Sequence, residues 1–205
     1  MESEDNYYDH YKDTWSVQQS YLSERNKLTV SLLVLLVLVA GFIYDPAMLN
    51  DNINTYVASH VEGLAFDLKY MNTGLIFLLL WIMTRYYQAV IKIERMYHYL
   101  NDCETNLSAD PKKYVINREG AYYSKSKSWF TSVINFCYVF LLPLAIIIIA
   151  IVKIVNECKW TTDFKVVDFI GLGLIILLSL LYILNRWFKK KNNKKEDKKK
   201  QEQDT

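Results

Sequence analysis

The histidines, glycines and carboxylates of this chain do not form a recognisable catalytic arrangement. His10, His60 and His98 are isolated from one another, and no HExxH, CxxC, GxSxG or Walker-type motif occurs. Gly171 and Gly173 lie within an apolar stretch, where they predict close helix packing rather than phosphate binding. We therefore expect that the protein is not an enzyme and that it has no metal or cofactor site.

Small polar side chains recur along two of the apolar stretches and form what we call the polar seam. Such a row predicts either hydrogen bonds between packed helices or, in an oligomer, the lining of a water-filled pore. The residues of the polar seam are Ser132, Asn135, Tyr138, Gly171, Ser179 and Tyr182. Arg85, Lys153 and Asp168 are expected near helix ends rather than at helix centres, so an ion-coupled carrier is not favoured.

Four apolar stretches separated by charge-rich segments must position these residues. The third and fourth are each long enough to cross a hydrocarbon core of roughly 30 Å at about 1.5 Å per residue, and the second becomes so if it continues beyond Arg85. Pro143 is expected to kink the third helix. The stretches run from Leu28 to Tyr44, Tyr70 to Thr84, Trp129 to Val152 and Val166 to Phe188. The predicted fold is an all-α polytopic membrane protein with four transmembrane helices, the second extended into a cytosolic helical hairpin.

The distribution of basic residues predicts how these helices cross the membrane. Twenty of the 24 lysines and arginines precede helix 1, lie between helices 2 and 3, or lie between Arg186 and the end of the chain. Because basic residues are retained on the cytoplasmic side, both termini and the middle loop are expected inside. The chain then divides into a cytoplasmic N-terminal segment with a short interfacial helix (1–27), helices 1 and 2 with an outer loop (28–84), a cytoplasmic helical arm (85–128), helices 3 and 4 (129–188) and a polybasic disordered tail (189–205).

A stripe of larger side chains follows helix 2 into the cytosolic arm, at alternating spacings of four and three residues. This spacing predicts one helix from Tyr70 to Leu107, about 57 Å long, that packs on another helix. Asp110 and Pro111 are expected to start a return arm that closes the hairpin. The stripe packs either on this return arm or on another subunit, and these two options are compatible. The candidate contacts with an oligomer or a cytosolic protein partner are Val90, Ile93, Tyr97, Leu100 and Leu107.

The terminal and outer segments carry less regular signals. Residues 1–13 are expected to be disordered, and Ser16 with Gln19 matches a capping box that starts the short interfacial helix. A short helix is expected in the outer loop from Asn54 to Phe66. The tail is a polybasic run whose ordinary role is attraction to anionic lipid headgroups, and nucleic-acid binding is not favoured without interleaved aromatic residues. The candidate headgroup contacts are Arg186, Lys189, Lys190 and Lys191.

One part of the chain carries a family resemblance. The run RYYQAVIKIERMYHYLNDCETNLS, followed by INREGAYY and a third apolar helix that contains a proline, resembles small bacterial four-helix membrane proteins. Some of these are grouped with pore-forming effectors of nucleotide-signalled phage defence, including the SLATT-like class. The resemblance covers roughly residues 85 to 143. It implies an inner-membrane protein that disrupts membrane integrity once a cytosolic partner signals infection.

Two functional hypotheses follow. The first is an oligomeric inner-membrane effector whose assembled helices form a pore or disrupt the membrane in anti-phage defence. The second is a non-conducting sensor or scaffold that recruits a cytosolic partner through residues 85–128. The first requires ion flux through the assembled protein and the second does not, so a conduction measurement separates them.

Overall fold

The structure is a computed structural model that describes residues 2–60, 68–107, 129, 133, 136–157 and 165–203. Asp45 apart, every described residue is helical. The helices are α1 (Glu2–Tyr44), α2 (Pro46–His60), α3 (Leu68–Leu107), α4 (Leu142–Glu157) and α5 (Lys165–Gln203), with a π-helical turn at Cys137–Leu141 before α4. Four stretches of this described part are long and apolar enough to cross a membrane: Tyr8–Tyr44, Met71–Thr105, Cys137–Glu157 and Val166–Lys189. The predicted all-α polytopic fold is confirmed.

The chain divides into two compact units. The first unit comprises Met1–Ser31 and Ile82–Ile134, and the second comprises Leu32–Trp81 and Asn135–Thr205. Both α1 and α3 therefore contribute residues to each unit. The prediction that helix 2 continues as one helix to Leu107 is confirmed, because α3 is unbroken over its whole range.

In the first unit, α1 and α3 form an antiparallel pair. Three contacts set the register: His10 Nε2 lies 2.8 Å from Tyr99 Oη, the Lys92 ammonium lies 5.1 Å from the centre of the Tyr21 ring, and Arg85 forms a 2.8 Å ion pair with Glu24. Residue numbers rise along α1 as they fall along α3, which fixes the direction of the pair. The Arg85–Glu24 pair is partly exposed to solvent, so it defines the register more than it stabilises the unit.

The prediction that residues 1–13 are disordered is wrong. α1 begins at Glu2, and Ser16 lies inside this helix rather than at its start. The reason is packing: Tyr11, Trp15 and Gln18 continue, at the same four- and three-residue spacing, the line of buried residues that reaches Leu32 and Leu36 farther along α1. A charged sequence is held in a helix when one of its faces is buried against a partner helix.

Most of the stripe on α3 is buried, and part of it packs on a helix that the sequence did not suggest. Leu100 forms a core cluster with Cys103, Tyr11 and Trp15, so this part of the stripe packs on α1. The return arm that starts at Asp110 lies outside the described residues.

In the second unit, α2 begins earlier than predicted. The carboxylate of Asp45 accepts a hydrogen bond from the backbone N–H of Met48 at 2.9 Å, and Pro46 is the first residue of the helix. This is the usual start of a helix, with an N-cap carboxylate followed by a proline whose missing N–H costs no hydrogen bond. The start expected at Asn54 is therefore corrected to Pro46, while the expected end at Phe66 lies outside the described residues.

The effect of Pro143 is visible one turn before it. The backbone N–H of Leu142 bonds to the carbonyl of Cys137, five residues back, which defines the π-helical turn. A proline cannot donate a hydrogen bond and its ring crowds the carbonyl four residues earlier, so one widened turn accommodates it within a continuous span. Pro143 itself is fully buried.

The tail is also more regular than expected. The sequence predicts disorder from residue 189 onward, whereas α5 continues to Gln203. Lysine, glutamate and glutamine favour helices, and no glycine or proline follows Gly173. The tail therefore contains nothing that ends the helix locally.

Candidate functional site

The described residues of the polar seam lie mostly within the packing of the second unit. Ser179 is fully buried and Tyr182 is 5% exposed, whereas Tyr138 is half-buried in the π-helical turn. Ser132 and Asn135 lie outside the described residues. Side chains buried within one chain cannot face a water-filled path in the same arrangement, so their burial favours the helix-packing interpretation of the seam.

Gly171 shows why this packing is close. A Cβ placed on Gly171 would lie 2.9 Å from Cγ2 of Ile76, which is closer than two carbon atoms normally approach. The absent side chain thus lets α5 approach α3 in the second unit. In the part of the chain that the structure describes, nothing lies within 4 Å of such a Cβ on Gly173, so the packing prediction is confirmed for Gly171 and wrong for Gly173.

The predicted partner contacts are largely internal to the chain. Val90, Ile93 and Leu100 are buried and Tyr97 is half-buried, while Leu107 is the last residue of α3. A role in contacts with another subunit or protein would require these side chains to leave their present surroundings. The contacts themselves stay a prediction.

The candidate headgroup residues lie along α5, after its apolar part. Arg186 donates a hydrogen bond from Nε to the hydroxyl of Tyr182 at 3.4 Å, and its guanidinium carbon lies 5.5 Å from the centre of the same ring. Arg186 and Lys189 are half-buried, and Lys190 and Lys191 follow in the helix. Tyr182 thereby holds one end of the basic group in a defined position. Lipid contact by this group stays a prediction.

One group of buried polar and charged side chains was not predicted from the sequence. Lys153 and Glu157, one turn apart on α4, form an ion pair at 3.4 Å with side chains only 8% and 14% exposed. Asn72 of α3 donates a hydrogen bond from Nδ2 to Oε1 of Glu157 at 3.0 Å. An ion pair with an amide partner is thus enclosed in a unit that contains helices long and apolar enough to cross a membrane.

Asn156 completes what we call the polar cluster, namely Asn72, Lys153, Asn156 and Glu157. Asn156 donates from Nδ2 to the carbonyl of Ile43 at 3.4 Å, which satisfies one of the free carbonyls near the end of α1. Asp168 lies in the first turn of α5, where its negative charge is favoured by the helix dipole, and it is 6% exposed.

The cluster is not fully satisfied. Among the described residues, Oε2 of Glu157 is buried without a hydrogen-bond partner, and so is Oδ1 of Asp168 on α5. Burying a charged oxygen without a partner costs several kcal/mol, roughly, unless a counter-ion or water compensates.

The sequence contained only a partial signal for this cluster. Lys153 interrupts the apolar run of α4, and Glu157 follows it at the spacing of one helical turn. Asn72 could not be added from sequence, because only the packing of α3 on α4 brings it to Glu157. The role of the cluster must be argued from its geometry, since no protein-family model, curated protein or solved structure matches the chain.

Proposed function

We propose that the protein is a homo-oligomeric membrane effector that conducts ions across a bacterial inner membrane in its active state. The observation that carries the proposal is the buried Lys153–Glu157 ion pair, with its bond to Asn72, inside the second unit. Charged groups within membrane-spanning segments are costly, and they commonly mark pathways for ions. A purely passive anchor has no need of them.

The same bonds describe a closed state. Asn72 ties α3 to α4 through Glu157, and Asn156 ties α4 to the end of α1 through the carbonyl of Ile43. With these bonds made, the polar groups of the cluster face one another rather than water. Conduction requires that water reach the cluster, and therefore that at least one of these ties open.

We assign to the first unit the binding of the cytosolic signal that opens the closed state. Besides its buried core, the α1–α3 pair carries polar contacts between exposed or half-buried groups, including Glu24 with Arg85 and His10 with Tyr99. Such contacts are weak individually and can be exchanged for contacts with a cytosolic partner. Since α1 and α3 contribute residues to both units, a change in their pairing is a route from signal to membrane.

The topology and biological setting also belong to the proposal. Both termini are placed in the cytoplasm because of the partition of basic residues, and the setting of anti-phage defence is taken from the resemblance of residues 85–143. Bacteria that express the protein with its genomic neighbours should resist phage, measured by plating efficiency. Equal plating with and without the protein would remove the defence setting while leaving conduction to be judged separately.

Conduction is tested directly with purified protein in liposomes and with a potential-sensitive dye in cells. The wild type, alone or with its partner, should release trapped ions and depolarise the inner membrane. Replacing Lys153→Met together with Glu157→Gln should reduce the flux, because the cluster then loses both charges of the pair. Asp51→Asn on the exposed face of α2 is the matched control and should conduct as the wild type does.

The scaffold hypothesis gives the opposite result in the same experiment. A non-conducting scaffold would show no ion flux in liposomes with its partner bound, and the Lys153→Met and Glu157→Gln pair would leave partner binding unchanged. That outcome would reject the effector proposal. A monomeric mass in native nanodiscs, with flux intact, would reject only its oligomeric part.

A further inference from the structure

We infer that α2 binds the surface of the lipid bilayer, with its apolar side in contact with lipid and its polar side in water. The inference goes beyond the proposed function, because it depends neither on conduction nor on which side of the membrane the termini lie. The starting observation is the position of the helix. The first membrane-crossing stretch ends at Tyr44, α2 begins at Pro46, and only Asp45 lies between them. The start of α2 therefore lies where the chain leaves the bilayer.

The length and composition of α2 suit the membrane surface rather than the membrane interior. Its 15 residues extend over about 22 Å, whereas a hydrocarbon core is roughly 30 Å thick. Asp51 is its one carboxylate, and the helix contains no lysine or arginine. A short helix of this kind, placed directly after an apolar span, is typical of helices that lie in the interface between lipid and water.

The side chains of α2 divide into an apolar and a polar side. At about 3.6 residues per turn, four large apolar side chains fall within an arc of about 100°. Asp51 and Thr55 lie on the opposite side and are exposed. Met48, in the first turn, is the one large apolar side chain of α2 outside the arc. The apolar side consists of Leu49, Ile53, Tyr56 and Val57.

Protein covers this apolar side only in part. Leu49, Ile53 and Val57 are half-buried, and Tyr56 is 68% exposed. Apolar area that stays in water is unfavourable by about 25 cal/mol for each Å². The uncovered part of the apolar side is therefore stabilised when it contacts an apolar partner.

The contact between α2 and α1 identifies that partner as lipid. Val34, Val37 and Tyr44 are exposed along one side of α1, and Gly41 lies on the same side, between Val37 and Tyr44. The exposed apolar side of a membrane-crossing helix is the side that faces lipid tails. A Cβ on Gly41 would lie 3.0 Å from Cδ1 of Leu49, so α2 packs on this side of α1. The helix thus leaves α1 toward the lipid.

Two tyrosines fit the depth that this arrangement gives them. Tyr44, the last residue of α1, is 93% exposed, and Tyr56 lies on the apolar side of α2. The ring of Tyr56 also contacts the more polar ring of His60, with 4.5 Å between their centres. Tyrosine is enriched at the level of the lipid headgroups because its ring is apolar and its hydroxyl is polar. Both tyrosines therefore suit the membrane surface.

The test uses the full chain in nanodiscs of phosphatidylethanolamine and phosphatidylglycerol, with the native cysteines replaced and one spin label attached at a time. Collisions of the label with oxygen report contact with lipid, and collisions with a water-soluble nickel chelate report contact with water. Labels at Ile53 and Val57 should collide mainly with oxygen, whereas labels at Asp51 and Thr55 should collide mainly with the chelate. One position from each pair suffices if the other label prevents folding.

A charge on the apolar side should move α2 away from the lipid. Ile53→Asp should remove the preference of the Val57 label for oxygen, and the matched control Thr55→Asp, on the polar side, should preserve it. A preference for the chelate at all four positions would place α2 in water and overturn the inference. Few collisions with either reagent at Ile53 and Val57 would also overturn it, because protein from the same chain or from a second copy would then cover the apolar side.

Discussion

Tyr11 donates a hydrogen bond from its hydroxyl to Oε1 of Glu104 at 2.9 Å, in the buried core of the first unit. The two residues are 93 positions apart, so this one bond joins the beginning of α1 to the end of α3. Glu104 is 3% exposed, and a buried carboxylate depends on every donor that it receives. Removing this bond therefore tests how much it contributes to the stability of the first unit.

Tyr11→Phe should destabilise the first unit by about 1–3 kcal/mol, because a buried charged acceptor loses a donor while the ring remains. Tyr8→Phe removes a hydroxyl from a half-exposed tyrosine on the same helix and should have a much smaller effect. The measurement is denaturant unfolding of the purified protein, followed by tryptophan fluorescence. Equal losses in the two variants would show that the Tyr11 bond contributes nothing specific.

Gln18→Leu should stabilise the first unit by about 1–3 kcal/mol. Gln18 is fully buried, and neither its Oε1 nor its Nε2 has a hydrogen-bond partner among the described residues, so the amide carries a desolvation cost that leucine does not. The neighbouring Gln19→Leu is the matched control, since Gln19 is exposed. A loss of stability in Gln18→Leu would mean that the amide has a buried partner, such as an ordered water.

Gly171→Leu should destabilise the second unit by about 1–3 kcal/mol, because any side chain there must displace Ile76. Gly173→Leu tests the same change two positions away, where a Cβ meets no neighbour, and should be nearly neutral. The comparison is made by thermal unfolding in nanodiscs. If the two variants behave alike, the close approach of α5 to α3 does not hold in the membrane.

Lys153→Met should destabilise the second unit by about 3–5 kcal/mol, because it leaves the Glu157 carboxylate buried without its counter-charge. Adding Glu157→Gln to the same chain should recover most of the loss, since no buried charge then remains in the pair. The double-mutant cycle measures the coupling between the two residues. Additive losses would show that the ion pair is not formed in the folded protein.

The topology is tested by labelling single cysteines in intact cells, in a chain whose native cysteines are replaced. A cysteine at the exposed Asn52 should react with an impermeant reagent, and one at the exposed Asn101 should be protected until the cells are opened. The reverse pattern would place both termini outside.

Periodicity predicts the helices well because burial imposes it. The stripe on α3 is readable from Tyr86 to Glu104, and the length of that helix follows from it. Tyr11, Trp15 and Gln18 have the same spacing. The acidic residues around them made the segment resemble a disordered one, so this spacing was not used. It becomes visible when the line of buried residues is followed back from Leu32.

The polar cluster was beyond prediction for a different reason. The hydrogen bond from Asn72 to Glu157 spans 85 positions. No local sequence pattern predicts that the helix faces carrying these two residues lie against each other. Asp45 was predictable, since an aspartate followed by a proline is a common helix start, and the same signal was used at Asp110. Local capping rules thus predict the start of α2, whereas the polar cluster can be identified only from the packing of the helices.

The bond between Tyr11 and Glu104 cannot form until about half of the chain has been made. Tyr11 leaves the ribosome 93 residues before Glu104, which at about 5–20 residues per second is a delay of roughly 5–19 seconds. During that interval the beginning of α1, with its buried-face residues Trp15 and Gln18, is made but lacks its partner helix. A nascent chain arrested before Leu100 should therefore expose this segment to protease or to chaperones, although its first apolar span is already complete.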